Sequence, residues 1–320
     1  MGFDPEEVLF SPTARCNLAC PHCTSAKTGP NLSVGTAERF LAGCGKIGIK
    51  YVGFTGGEPF LAPDFLCSLT RKAVSEGMLF DRIMTNGVWY KSGSHLDGAL
   101  ARLRKAGYDG SICVSVDAFH KQDLKKAARF IETAVSIWQR PDIVSIARTT
   151  GARDKATDRM LRILARLLGA GYARAGRGSH CIRNDSVFVR VSNIELSPVG
   201  KAGRLKDPWG GRWFKEDYCK GPGNAFFVMP DGKVKPCCGY AADSEILTIG
   251  NIKRDSAADI LRRAGSNRFV AAVFDSGLTE IRKKLERLGV KFPGKTTNHC
   301  YLCYYILNNI PGEILRRCLK

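Results

Sequence analysis

Val8-Leu9-Phe10-Ser11-Pro12-Thr13-Ala14-Arg15-Cys16-Asn17-Leu18-Ala19-Cys20-Pro21-His22-Cys23 passes from a short apolar strand signal directly into three cysteines within eight residues. The cysteines therefore sit on a loop at the C-terminal end of a strand. Three thiolates can wrap one metal centre, whereas a closed zinc or iron-sulfur site takes four ligands, so one coordination position is left open. A zinc knuckle completed by His22 or a distant cysteine answers the same spacing.

Outward from this loop the chain alternates strand and helix signals. Residues 8–10, 51–54, 82–84, 112–116, 143–146 and 187–191 read as six strands. Between them, Phe40, Leu41, Cys44 and Ile47 share one helical face. A second helical pattern begins at Pro63-Asp64, runs through Leu66, Leu69 and Ala73, and stops at Gly77, with proline near its start and glycine past its end. Further helices fit about 97–107, 120–139 and 154–169. Six βα units in succession imply a parallel sheet with helices outside, either doubly wound or curved into part of a barrel. An active site then lies at the C-terminal strand ends. After about residue 205 the pattern gives way to irregular Gly, Pro, Trp and Cys-rich sequence, followed by helices near 255–272 and 276–288. The chain divides on this reading into residues 1–205 and a small second domain, 206–320. The latter is short of apolar periodicity around 205–250, where a metal site commonly replaces a core.

The 320 residues, 44% hydrophobic and 25% charged, are those of a globular chain, which excludes wholesale disorder and coiled coil. Neither the acidic start Met1-Gly2-Phe3-Asp4-Pro5-Glu6-Glu7 nor any apolar run resembles a signal peptide or a membrane span, so the expected location is cytoplasmic, without membrane association. Thirteen cysteines, an odd number in a chain of this size, point to metal or redox chemistry and away from a disulfide scaffold. The net charge is +19, and because residues 1–60 carry five basic and five acidic side chains, the whole surplus lies after them. Residues 148–190 alone hold ten Arg or Lys against three Asp. Arg159, Arg162 and Arg166 sit at helical spacing opposite Met160, Ile163, Leu164 and Leu167, as on a solvated helix face; the same field attracts an acidic peptide, protein or nucleic acid.

A CxxxCxxC spacing with an aromatic side chain before the last cysteine resembles the radical SAM superfamily. That resemblance implies a 4Fe-4S cluster held by Cys16, Cys20 and Cys23. Its open iron chelates S-adenosylmethionine, and reductive cleavage gives a 5'-deoxyadenosyl radical that takes a hydrogen atom from substrate; an external electron donor of the flavodoxin or ferredoxin type goes with it. Soft thiolates suit such a cluster. The likeness extends over roughly residues 8–204. Thr55-Gly56-Gly57-Glu58-Pro59 after the second strand is similar to the family's GGEP motif, in which Gly56, Gly57, Glu58 and Pro59 bind the cofactor's amino group. A glycine pair admits close approach, and a glutamate pairs with an ammonium. Thr85-Asn86-Gly87 and Ser115-Val116-Asp117 end the next two strands where relatives contact the cofactor or its ribose, implying Thr85, Asn86, Ser115 and Asp117. Arg148, ending the fifth, is expected either to hold the cofactor carboxylate or to be solvated. Pro198-Val199-Gly200-Lys201-Ala202-Gly203-Arg204 resembles a PxGRA segment with lysine in place of arginine. The implied fold is α/β, a partial (β/α)6 TIM-like barrel with a small C-terminal iron-sulfur domain of a β-hairpin plus helices.

In that second part Cys219 precedes Gly232 and Cys237, and Cys300-Tyr301-Leu302-Cys303 follows much later. The first half resembles the CX9-15GX4C opening of SPASM and twitch domains. Residues 226–234 read as a hairpin with an Asp-Gly turn, whose register brings Cys219 and Cys237 toward one metal. A full SPASM domain continues CX2CX5CX3C, whereas here Cys300 and Cys303 are followed only by Cys318, which implies one auxiliary 4Fe-4S cluster ligated by Cys219, Cys237, Cys300 and Cys303 and serving structure or electron transfer. Structural zinc on the same thiolates is the alternative. Cys238 is left over, either a small hydrophobe or a thiol that returns a hydrogen atom to a substrate radical. Cys44, Cys67, Cys113 and Cys181 read as core.

A Cys-Cys pair at a hairpin end with one auxiliary cluster resembles the radical SAM epimerases of ribosomally made peptides. The expected function is L-to-D epimerisation at Cα with Cys238 as catalytic donor on a peptide substrate, with an acidic leader suited to the basic surface. With the cysteine motif beginning at residue 16, the leader-binding winged helix of many relatives is not expected, which weakens the peptide reading without excluding it. Thioether or carbon-carbon crosslinking is the alternative, as is radical modification of a non-peptide substrate. A nucleic-acid-binding metalloprotein uses the same charge but has no need of Gly-Gly-Glu-Pro at a strand end.

Overall fold

The computed structural model describes residues 3–23, 29–150, 154–176, 179–196, 198–205, 207–215, 224–239 and 241–320. Five strand-helix units come first: β1 (Glu7–Phe10), α1 (Val34–Lys46), β2 (Tyr51–Phe54), α2 (Pro63–Ser75), β3 (Leu79–Thr85), α3 (Gly93–Lys105), β4 (Ser111–Ser115), α4 (Leu124–Trp138), β5 (Val144–Thr150) and α5 (Lys155–Leu167). Sequence signals set the helix ends. Ser92, Asp123 and Asp154 accept hydrogen bonds from the first amides of α3, α4 and α5, and Pro63 opens α2. Gly77 follows α2 with φ of +66°, a left-handed turn that favours glycine.

The sixth barrel strand, β8 (Phe188–Glu195), pairs parallel with β5, but α5 does not lead straight into it. An antiparallel hairpin, β6 (Gly171–Arg174) and β7 (His180–Arg183), intervenes and continues the sheet beyond β8. The expectation of six simple βα units is corrected here. Exposed arginines on β6 and β7 hide the apolar alternation by which a strand is recognised.

After the barrel come β9 (Ala225–Val228), β10 (Lys233–Lys235) and β11 (Gly250–Asn251), then α6 (Ala257–Ser266), α7 (Arg268–Asp275), α8 (Leu278–Arg287), α9 (His299–Asn309) and α10 (Gly312–Cys318). The helix expected over 255–272 is two, broken at Asn267, whose side chain caps α7. β9 lies parallel beside β1, with Glu7 opposite Ala225, and β10 returns antiparallel with Lys235 opposite Phe227. One mixed sheet results, in the order β11-β10-β9-β1-β2-β3-β4-β5-β8-β7-β6.

The parallel strands carry different kinds of side chain on their two faces. Phe10, Phe54, Ile83, Val114, Ile146 and Val191 face the helix layer and belong to the main core. Each contributes about 1.5–3 kcal/mol by burial. The alternate positions, among them Glu7, Leu9, Gly53, Arg82, Cys113 and Ser145, turn to the concave interior. A Cβ at Gly53 would lie 2.6 Å from Glu7 Oε1 and 2.9 Å from Leu9 Cδ1, so those two side chains cover it.

Candidate active site and cluster-binding residues

At the C-terminal strand ends the loop after β1 is strapped to the loop after β2. Thr55 N donates to Phe10 O, Gly57 N to Thr13 O and Glu58 N to Arg15 O, at 2.8–2.9 Å. A Cβ at Gly57 would lie 2.2 Å from Arg15 O and 2.4 Å from Ala14 O, and Gly56 has φ of +128°. The glycine pair therefore serves a close approach of two backbones beneath the cysteines. Pro59 opens a short 3-10 turn, and Glu58 caps it by accepting from Phe60 N at 3.1 Å.

Glu58 is fully buried, and its carboxylate ties β2 to β3: Oε1 also accepts from Thr85 Oγ1 and Oε2 from Asn86 N, each at 2.8 Å. Burial pushes its pKa up to about 7, against the pull of these donors. Asn86 reaches the cluster loop, donating through Nδ2 to Asn17 Oδ1 at 2.7 Å and to Cys16 Sγ at 3.7 Å. Leu18 N lies 3.4 Å from the same sulfur. Gln122 Nε2 joins Asn86 O and Ser115 O, both at 2.5 Å, closing the ends of β3 and β4.

Asp117, also fully buried, accepts from His120 Nδ1 at 2.7 Å, Phe119 N at 2.9 Å and Thr149 N at 2.9 Å. Burial works against its charge, yet His120 and these donors hold it below the usual carboxylate range. His22 packs its ring against Phe119 and His120, the two imidazoles with centroids 4.8 Å apart. Burial, together with neighbouring His120, lowers the His22 pKa. The structure thus gathers Cys16, Cys20, Cys23, Gly56, Gly57, Glu58, Pro59, Thr85, Asn86, Ser115 and Asp117 at one mouth of the barrel. Asn17, His120 and Gln122 join them without having carried a motif; only their nearness to strand ends marked them.

Arg148 is not brought there. It lies on the outward parity of β5 with Val144 and Ile146, donating to Asn193 Oδ1 at 2.5 Å and to Asp158 of α5. Neither expectation for Arg148 describes this, since it is a buried arginine tied into the helix side.

The second cysteine group lies at the other end of the strands. Ala225 N donates to Pro236 O at 3.3 Å, setting Cys237 and Cys238 level with Glu7. A Cβ at Gly239 would lie 3.6 Å from Cys237 Sγ and 3.7 Å from Cys300 Sγ, so these two thiols flank one cradle. Cys303 is one turn beyond Cys300 on α9 and is buried. Cys219 lies outside the described residues. Burial pushes Cys237 and Cys300 up to about 11. Such thiols become thiolates when a bound cation displaces their protons to solvent, and a glycine-lined group of them fits a metal centre of soft preference. Cys16, Cys20 and Cys23 on one loop fit a centre that keeps a position open.

Cys238 is exposed as a residue, while its thiol lies in the field of Glu7 and Arg82 of the interior, and its desolvation together with Cys237 and Glu7 pushes it up to about 12. Burial and neighbouring Asp81 raise Glu7 to about 7. Cys113, read from sequence as core, faces the interior beside Ser145 and within the field of Arg82. Cys318, by contrast, is buried on α10 and donates to Ile281 O at 3.6 Å.

Comparison with known proteins places this geometry. The family model described as "Radical SAM superfamily" matches residues 10–178, and that of an "Iron-sulfur cluster-binding domain" (SPASM) matches 219–289. A probable GTP 3',8-cyclase of Methanopyrus kandleri is 31% identical over 163 residues, 47% of this chain and 50% of that protein. The chain thus spans half the length of that relative. A PqqA peptide cyclase of Rhodopseudomonas palustris is 27% identical over 272 residues, 75% of this chain and 68% of that protein. Among solved structures, anSMEcpe with bound AdoMet superposes with a TM-score of 0.56 at 15% identity, covering 98% of this chain and 96% of that one. This likeness extends the fold to both parts of the molecule. The cofactors follow from the two matched domains: S-adenosylmethionine and a 4Fe-4S cluster for the barrel, auxiliary iron-sulfur for the C-terminal part. With a match over more than half of its length, the chain belongs to the radical SAM superfamily.

Proposed function

We propose that the chain abstracts a Cα hydrogen from a peptide and inverts that centre, with Cys238 returning the hydrogen. The observation that carries this reading is a thiol, Cys238, open to the concave interior at the strand ends opposite Cys16, Cys20 and Cys23. Residues 1–205 form the radical-generating barrel and 206–320 the auxiliary domain. Cys16, Cys20 and Cys23 hold the 4Fe-4S cluster; Cys219, Cys237, Cys300 and Cys303 hold one auxiliary 4Fe-4S cluster, a twitch-like complement. Bound S-adenosylmethionine supplies the 5'-deoxyadenosyl radical. Gly56, Gly57, Glu58 and Pro59 shape the seat of its amino group, and Thr85, Asn86, Ser115 and Asp117 line the same mouth. At the planar substrate radical, Cys238 gives up its S–H hydrogen from the face away from the adenosyl group. A C–H bond forms, and the thiol is restored by one electron and one proton. An external donor of the flavodoxin or ferredoxin type supplies electrons, the reaction is cytoplasmic, and the excess of arginine and lysine after residue 60 suits an acidic leader.

A peptide substrate is supported by the relative named for cyclising the PqqA peptide. That relative also favours a second reading, oxidative crosslinking, in which two hydrogens leave the substrate. Turnover in deuterated water, with short peptides encoded beside this gene as substrates, separates the two. Epimerisation leaves the sequence's mass unchanged apart from one deuterium at Cα, and Cys238→Ala still makes 5'-deoxyadenosine but little inverted product. A product two hydrogens lighter, or normal inversion by Cys238→Ala, overturns the epimerase reading.

A further inference from the structure

Lys235, the last residue of β10, is 1% exposed. Its Nζ donates to Ser244 O at 2.8 Å and Thr248 Oγ1 at 2.7 Å. An ammonium has three N–H bonds, and the third finds no acceptor among the described residues. Nor does a carboxylate there come within ion-pair distance of it, whereas Lys233, two residues earlier and half-exposed, reaches Glu245 at 2.5 Å. Burial disfavours this cation, and the carboxylates of Glu245, Asp243 and Asp231 act on it only from beyond ion-pair distance, so the corner suits a further negative charge. Lys235 stands opposite Phe227 at the end of β10, and Cys237, two residues on, flanks with Cys300 the cradle beside Gly239.

We propose that Lys235 is the built-in counter-charge of the auxiliary iron-sulfur cluster and sets its reduction potential. The inference rests on the assignment of Cys237, Cys300 and Cys303 as ligands under the proposed function. Ligation converts these thiols to thiolates, and the cluster they hold is anionic. Each electron added makes it more so. A fixed positive charge nearby favours the reduced form and raises the potential, the more strongly because the site excludes water. The rest of the corner agrees with this role: Lys235 is anchored by neutral acceptors, which orient the ammonium without neutralising it.

The test is an EPR-monitored redox titration of the full-length protein with both clusters loaded, comparing wild type, Lys235→Met and Lys235→Arg. The auxiliary midpoint is expected to move to more negative potential in Lys235→Met and to stay near wild type in Lys235→Arg, while the radical SAM cluster, which Lys235 does not face, keeps its midpoint in all three. Loss of auxiliary iron in Lys235→Met with full loading of Lys235→Arg supports a counter-charge equally. An unmoved midpoint in fully loaded Lys235→Met overturns the proposal, as does loss of iron in both variants, because shape and not charge is then what the site needs. Wild-type protein that never holds more than about four irons overturns the ligand assignment instead.

Discussion

At Glu58 one side chain fixes the relation between two strands and also titrates. Three donors meet its two oxygens in a site closed to water. In Glu58→Gln the amide nitrogen faces either the Asn86 N–H or the Phe60 and Thr85 donors, a mismatch expected to cost about 1–3 kcal/mol. Because the folded pKa of about 7 lies above the ordinary carboxylate value of 4.5, the neutral acid is the form that folding favours. Its contribution is complete below the unfolded pKa and is lost as pH rises through the folded one. Thermal melts of cofactor-free protein should therefore show wild type losing stability between about pH 5 and 7.5, and Glu58→Gln losing less over the same interval. Glu7, raised to about 7 as well, keeps part of the slope in the variant. Parallel slopes for the two proteins would mean that Glu58 does not titrate there. Arg148 carries a lesson of the same scale. Val144 and Ile146 alternate toward the helices, and that alternation already placed Arg148 with them; position at a strand end was given more weight than parity. Cys113 is buried on its strand as read, on the face turned to the interior.

Between elements, the decisive contact is the one that lets two loops touch. Gly57→Ala puts a methyl group against the Ala14 and Arg15 carbonyls, backbone atoms that move only with the cysteine loop itself. The expected result of iron and sulfide analysis is loss of about four irons from the barrel site, with the auxiliary site still loaded. Retention of all iron would show that the loop tolerates the shift. A contrast is Asp123→Ala, which removes the cap on Lys125 N and Lys126 N of α4; about 1 kcal/mol of stability should be lost in denaturant titration without any loss of iron. Elements with strong periodicity or caps, such as α2 and α4, were legible from sequence. β6 and β7 were not, because tertiary pairing at the sheet edge, and no apolar pattern of their own, makes them strands.

For the whole molecule, the sequence suggested two domains in series, while the sheet runs through both parts. β9 supplies the pairing partner on one side of β1, and Ser11 N donates to Val228 O just beyond it. A fragment ending at Leu205 leaves that edge of β1 bare, and size-exclusion chromatography should find it aggregated; a monodisperse fragment would show that the barrel closes without β9. Iron counting tests the molecule as a unit: about eight irons in reconstituted wild type, and about four in a triple Cys16→Ala, Cys20→Ala, Cys23→Ala variant. The four-residue β1 also acts as a measuring stick. Its length is about 13 Å at ~3.3 Å per residue, with the radical-generating loop above its last residue and the Cys237–Cys238 corner level with its first. A helix wraps each backbone carbon in its own side chains, so it does not offer one such carbon bare to both ends of this space. An extended or looped segment can, so under the proposed function the target is met before it folds.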